Sequence, residues 1–332
     1  MSSWLVGLSL LVGVLAHGPS VASANDSAFV HVVRPGETLA SIAQRYYGDA
    51  RRESVLVAEN GLTTHGGAAI VVGLRLVIPW VSYHRVAAGE SWASVATEHY
   101  GDPRRAGALI DANPQVSGNQ PDEGAELLVP YPLRHVARQG DTMRRVALSY
   151  FGDQTESTRL MRFNSARRQR LARGQIVLVP LDDLLLSEEG RAVIAEATGE
   201  TPTGGEVRAL QTRINAQLPE LREHVRVGRY AQAVALGNRL LGAGDLTGNQ
   251  IVTIHRELGT AFVALDRPAL AVEAFVHALE AQPDLELDSA RTSPTVLAAM
   301  AAAREQLIAR RSEPAGDAGA GADAGVPDAS TP

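Results

Sequence analysis

Three histidines, His31, His84 and His135, each stand five residues ahead of a glycine that opens an acidic and hydroxyl-bearing turn. The turns are Gly36-Glu37-Thr38, Gly89-Glu90-Ser91 and Gly140-Asp141-Thr142. Imidazole and carboxylate are metal ligands and proton carriers, so chemistry would first be sought there. One equivalent position in three separate copies supplies three isolated ligands, not one coordination sphere. The pattern predicts structural strand histidines and no metal. Absent residue types bound the remaining chemistry. The 332-residue chain has no cysteine, and all 31 of its basic residues are arginine. Disulfides, thiolate metal sites, cysteine nucleophiles, Schiff-base lysines and a phosphate-loop lysine are excluded. In the second half His224, His255 and His277 are 31 and 22 residues apart, unlike the short spacings of a metallopeptidase. None of the dispersed glutamates has the context of a glycan-cleaving acid. The expectation is a non-catalytic protein with no cofactor.

The turns belong to longer self-similar segments, and these are the elements that must position them. Gly36, Gly89 and Gly140 are each followed 12 residues later by Gly48, Gly101 and Gly152, and 12 further on by Asn60, Asn113 and Asn164. Gly73, Gly124 and Gly174 each precede a proline by 6 residues: Pro79, Pro130 and Pro180. Only the stretch between the Asn and that third Gly changes length. A short β run ends at the first Gly. Thr38, Ser91 and Thr142 can cap a helix whose apolar positions, such as Leu39, Ile42, Ala43 and Tyr46, follow a 3.6-residue period. A Tyr-Gly-Asp or Phe-Gly-Asp stop follows, with Gly in the left-handed position. A second helix runs to the Asn, and a last strand ends at the Pro. The unit is β-α-α-β, with its two strands antiparallel.

Three times over, this pattern resembles the LysM domain, at residues 29–80, 82–131 and 133–181. The matched features are Gly-Asp-Thr-Leu with conservative swaps, an Ile-Ala pair, the Asn, and Gly-x-x-Leu-x-Ile-Pro. The resemblance implies a module that binds N-acetylglucosamine-containing polymers, which in bacteria means peptidoglycan, in a shallow groove between two loops. Carried over residue by residue, the walls in the first segment are Gly36, Glu37, Thr38 and Leu39 with Asn60, Gly61 and Leu62. In the second they are Gly89, Glu90, Ser91 and Trp92 with Asn113, Pro114 and Gln115. In the third they are Gly140, Asp141, Thr142 and Met143 with Asn164, Ser165 and Ala166. Helix N-terminal backbone groups would bond the acetamido group, and Leu39, Trp92 or Met143 would hold its methyl. The family often places Trp about five residues after the second Gly; here those positions are Glu53, Ala106 and Ser157. Segment one also carries the insertion Thr63–Ala69, so it is the least expected binder.

Charge separates the two halves. Residues 25–181 hold 18 Arg against 15 acidic residues, a net of +3, whereas residues 182–332 hold 13 against 22, a net of −9. Neither half is basic enough for a dedicated nucleic-acid binder. Segment three is locally basic, with ten Arg against Asp141, Asp153 and Glu156 between 132 and 181. At the N-terminus, the apolar run Trp4–Ala16 is too short for a bilayer span, which takes about 20 residues. With Val21-Ala22-Ser23-Ala24 it reads as a signal peptide over 1–24, cut near Asn25, and predicts a periplasmic or otherwise exported protein with no span in the mature chain. After an expected linker at 182–205, residues 206–311 read as helical. Leu258, Gly259, Phe262, Ala271, Phe275, Ala278 and Pro283 resemble a tetratricopeptide repeat, which implies a protein partner. Thr295–Ala309 reads as a capping helix, and 312–332 as a disordered tail. The fold class expected is α+β plus all-α. The function expected is an envelope scaffold that holds glycan strands. The alternatives are a cell-wall hydrolase or its accessory subunit, and an assembly hub of a secretion or pilus system.

Overall fold

Local physics repeats three times along the chain. A computed structural model of the protein describes residues 28–62, 70–116 and 118–312. The expected signal peptide, the 63–69 insertion and the 313–332 tail lie outside them. Strand β1 (Ala28–Val32) pairs antiparallel with β2 (Arg75–Pro79), and β5 (Tyr131–Val136) pairs antiparallel with β6 (Ile176–Leu181). Between them β3 (Ser82–Arg85) pairs with β4 (Glu126–Val129). Each two-stranded sheet encloses a helix pair: α1 (Leu39–Tyr47) with α2 (Glu53–Glu59), α3 (Trp92–Tyr100) with α4 (Ala106–Ala112), and α5 (Met143–Phe151) with α6 (Ser157–Phe163).

The starts and stops follow from single residues. Thr38, Ser91 and Thr142 accept the N–H of Ser41, Ser94 and Arg145, satisfying a donor that the first turn leaves open. Ser41 and Ser94 return the bond to the cap backbone. Gly48, Gly101 and Gly152 end the first helices at φ of 71°, 68° and 74°, where a side chain would be strained. The aspartate that follows each then caps a one-turn 3-10 helix by accepting the N–H two residues on, at Arg51, Arg104 and Thr155.

Two compact units result, the first comprising residues 28–84, 89–121 and 127–205 among those described. Inside it the segments do not merely follow one another. Val55 of α2, Ala112 of α4, Leu128 of β4, Leu133 of β5, and Met143 and Val146 of α5 share one buried cluster. Tyr100 meets Phe163 edge to face at 5.2 Å, and the Arg105 guanidinium lies 5.3 Å from the same ring. Arg159 reaches Asp111 and Asp182. This shared core holds the segments at a fixed spacing.

The 182–205 stretch departs from the linker expected. Ser187 caps α7 (Glu188–Thr198), and the Ser187 N–H donates to the Tyr46 carbonyl at 2.8 Å. Leu186 and Ile194 enter the core of the first segment beside Leu39, Ile42 and Tyr46. A Cβ on Gly190 would lie 2.8 Å from the Tyr46 carbonyl oxygen, so only glycine permits the approach. Sparse apolar residues in acidic sequence hid this helix.

The second unit comprises 85–88, 122–126 and the described residues from 206 on. Its helices are α8 (Glu206–Arg226), α9 (Tyr230–Leu241), α10 (Gly248–Ala264), α11 (Pro268–Ala281) and α12 (Pro294–Ser312). Ile214, Leu221, Leu236, Leu240, Ile254 and Leu258 form one core, and Phe275, Leu279, Val296 and Met300 continue it. The buried Gln211 amide accepts the Glu126 N–H and donates to the Gly124 and Asp245 carbonyls. Glycines set the helix crossings: a Cβ on Gly237 would meet Leu258 at 2.7 Å, and one on Gly259 would meet the Phe275 ring at 2.7 Å. No helix among the described residues is long and apolar enough to cross a membrane.

His255 of α10 gives this unit a pH dependence. Burial first, and then the neighbouring His277 at a ring distance of 5.0 Å, push its pKa from 6.5 down to about 4, against the opposing pull of Glu280. The unfolded chain therefore binds a proton that the fold refuses. Stability is full above about pH 6.5 and falls as the pH drops towards 4, by on the order of 2 kcal/mol. Thermal unfolding followed by circular dichroism between pH 7 and 4 should show that loss, and His255→Phe should flatten it.

Candidate functional site

The loop pairs that the sequence marks as groove walls lie at the same place in each segment, where the first strand enters the first helix and where the second helix leaves for the last strand. The acidic residues of the first wall turn back into the fold. Glu37 lies 2.7 Å from His31 Nε2, accepts the Arg34 N–H at 2.8 Å and pairs with Arg45. Burial alone would raise its pKa, but the Arg34 N–H, His31 and Arg45 outweigh it and hold the carboxyl at about 2. Glu90 lies 2.8 Å from His84 Nε2. Asp141 is one methylene shorter, and its oxygen stays 3.4 Å from His135 Nε2.

The other imidazole nitrogen has a partner too. His31 Nδ1 meets the Tyr46 hydroxyl at 3.1 Å, and His135 Nδ1 meets the Tyr150 hydroxyl at 3.0 Å. In the second segment the equivalent residue is His99, and its Nε2 lies 3.3 Å from His84 Nδ1. Burial lowers the pKa of His135 and of His99. The expectation of structural strand histidines accords with these bonds. The residue each one bonds, at 46, 99 and 150, went unrecognised in the sequence. Its signal is the position directly before the aromatic of the Tyr-Gly-Asp stop.

Three pairs of the expected ligand contacts are spent on the scaffold. Leu39, Trp92 and Met143 are 6%, 5% and 0% exposed, so they fill the core instead of offering a surface for an acetyl methyl. Asn60, Asn113 and Asn164 act as latches. Each side-chain NH2 donates to a carbonyl four residues back (Leu56, Leu109, Leu160) and to a carbonyl of the last strand (Val77, Leu128, Leu178). Each side-chain oxygen accepts the N–H of that same strand residue. Both ends of the amide are thereby used, and the second wall is pinned to the sheet.

Gly36, Thr38 and Gly61 are exposed in the first segment, as are Gly89 and Pro114 in the second and Gly140 and Ser165 in the third. Leu62, Ser91, Gln115, Thr142 and Ala166 are half-buried. What such a surface can do is recognise shape and hydrogen-bond through backbone at a helix N-terminus. In the third segment the two walls are also joined by backbone: Met143 N–H donates to the Gln169 carbonyl at 2.8 Å, and Leu171 N–H to the Asp141 carbonyl at 3.1 Å.

That second wall carries the basic character of the third segment. Arg159 and Arg162 are drawn off to Asp111 and Asp182. Arg167, Arg168, Arg170 and Arg173 are all exposed on the loop from α6 to β6. An anionic polymer at this wall gains attraction that salt screens. Replacing those four by serine is expected to weaken binding of the intact chain to an anionic glycan polymer several-fold at 50 mM salt and little at 500 mM, read by co-sedimentation across a salt series.

Two curated proteins of Mycobacterium tuberculosis, from strains CDC 1551/Oshkosh and H37Rv and each named an esterase, are 30% identical to the chain over 123 residues. The match covers 37% of this chain and 26% of each of theirs, so the chain spans about a quarter of the length of these relatives. No solved structure matches. The first and third segments carry LysM domains, since the family model of that description matches residues 31–79 and 135–180.

Proposed function

We propose that this protein is a non-catalytic, exported peptidoglycan binder in which three LysM-type grooves hold glycan strands and the helical unit holds a protein partner. One observation carries the reading: the same loop pair, capped and latched in the same way, recurs in all three segments, two of which match the LysM model. The spacing of residues 82–131 and the Asn113 latch support a third module of the same kind between them. The tetratricopeptide-like reading of 206–311 rests on helices crossing at glycine and alanine in the order that resemblance requires. Export rests on the Trp4–Ala16 run and the small residues after it.

Hydrolysis is the second reading, and the esterase name of the two relatives is what favours it. One experiment separates the two. The full chain is incubated with purified sacculi, and both pelleted protein and released sugar or ester products are measured. Pelleting without release is the expected result. Release above a heat-denatured control would make the chain an enzyme. Failure to pellet at low and physiological salt alike would overturn the glycan reading.

A further inference from the structure

At one scaffold position the second segment differs from its neighbours in a way that the fold does not require. His31 and His135 each bond a tyrosine hydroxyl through Nδ1. A tyrosine thus satisfies this strand histidine twice in the same protein. In the second segment the tyrosine is replaced by His99, and a ring nitrogen stands where the hydroxyl would be. The exposed Glu98 stands next to it. Ligand atoms of His84, Glu98 and His99 all lie within 4.8 Å of one another.

We propose that His84 Nδ1, His99 Nε2 and a carboxylate oxygen of Glu98 form a binding site for a divalent transition-metal ion, with Zn2+ as the reference ligand. The nitrogen spacing suits it. Two nitrogens bound tetrahedrally to one zinc at about 2.0–2.1 Å lie about 3.3–3.4 Å apart, and His84 Nδ1 and His99 Nε2 are 3.3 Å apart. The outer contact suits it as well. Glu90, 2.8 Å from His84 Nε2, holds that nitrogen as the N–H and turns the Nδ1 lone pair inward. A carboxylate behind a ligating imidazole fixes its tautomer and raises its basicity. Two imidazoles and one carboxylate leave a coordination position for water or a further ligand. The rings meet nearly perpendicular, at 87°.

The same geometry fixes the proton balance. Without an ion, His84 Nδ1 accepts and the Nε2 proton of His99 lies between the two nitrogens. The ion takes both lone pairs, so the Nε2 proton of His99 leaves while one is taken up at its Nδ1. His99 changes tautomer, both imidazoles stay neutral, and no net proton is released for each ion bound.

The test uses the full chain. Zn2+ is titrated calorimetrically in two buffers of different ionisation enthalpy, against the parent protein, His99→Tyr and Glu98→Gln. His99→Tyr installs the residue that the other two segments carry at this position, so the fold is retained and circular dichroism checks it. The expected result is one site in the parent with the same heat in both buffers, hence no net proton released, at least about tenfold weaker in Glu98→Gln and lost in His99→Tyr. Zinc should raise the melting temperature of the parent and leave that of His99→Tyr unchanged. Equal zinc affinity in the parent and in His99→Tyr would place the ion elsewhere and overturn the proposal. So would the absence of zinc binding by the parent.

Discussion

Asn113→Ala is expected to cost about 3–4 kcal/mol of stability and to unfold the second segment well before the rest. Its side chain is 1% exposed and makes three buried hydrogen bonds to the Leu109 and Leu128 backbone. Alanine would leave the Leu128 N–H and the Leu109 and Leu128 carbonyls facing a small void. A buried polar group left unmade costs about 1–3 kcal/mol, and here a donor loses its partner along with two carbonyls. Denaturant unfolding followed by tryptophan fluorescence is the measurement, because Trp92 lies in the core of the same segment at 5% exposure. Asn113→Asp refines it. A carboxylate keeps the acceptor for Leu128 N–H but presents negative charge to two carbonyls. Its proton is therefore held in the fold, and the variant should regain stability as pH falls towards 4. Asn60→Ala, in a half-buried copy of the latch, should cost less. If Asn113→Ala instead left stability intact and removed glycan binding, the asparagine would be a ligand residue after all.

That distinction marks how far the sequence could be read. Caps and stops depend on residues two to four apart, so Thr38, Ser91 and Thr142 and the glycines at 48, 101 and 152 are legible from spacing alone. The latch depends on a strand that returns 14 to 17 residues after the Asn, across a loop whose length changes, and spacing cannot show which way an amide faces. The residue after the cap sits at the mouth of the groove in sequence yet points into the core, as Met143 does at 0% exposure. Helix α7 was hidden because two buried side chains, Leu186 and Ile194, suffice to dock it on a core formed more than 100 residues earlier. The His84–His99 contact joins residues 15 apart and could be seen only beside the tyrosines that replace it at 46 and 150.

The intact chain is expected to bind long N-acetylglucosamine-containing oligomers about 10²–10⁴-fold more tightly than oligomers that fill a single groove. One shallow groove buries little area and should bind weakly. On the proposed reading, three grooves on one chain would make the second contact intramolecular, and the gain would depend on how well their spacing is held. Flexible linkers would dilute it. Here the segments share a core through Val55, Ala112, Leu133 and Met143, and are clamped by Arg159 to Asp111 and by the Tyr100–Phe163 edge contact. The spacing is therefore set in advance, so the protein itself has little ordering entropy to lose when a strand bridges two grooves. Excised single segments would expose that core, so the comparison belongs to oligomer length and not to chain fragments. Calorimetric titration of the full chain with oligomers of increasing length is the measurement. A rigid array predicts a step in affinity at the length that first reaches a second groove, whereas independent sites predict only a gradual rise in proportion to the number of sugars. A gradual rise would mean that the grooves face different strands, and that the rigid core serves to cross-link the polymer instead of gripping one chain of it.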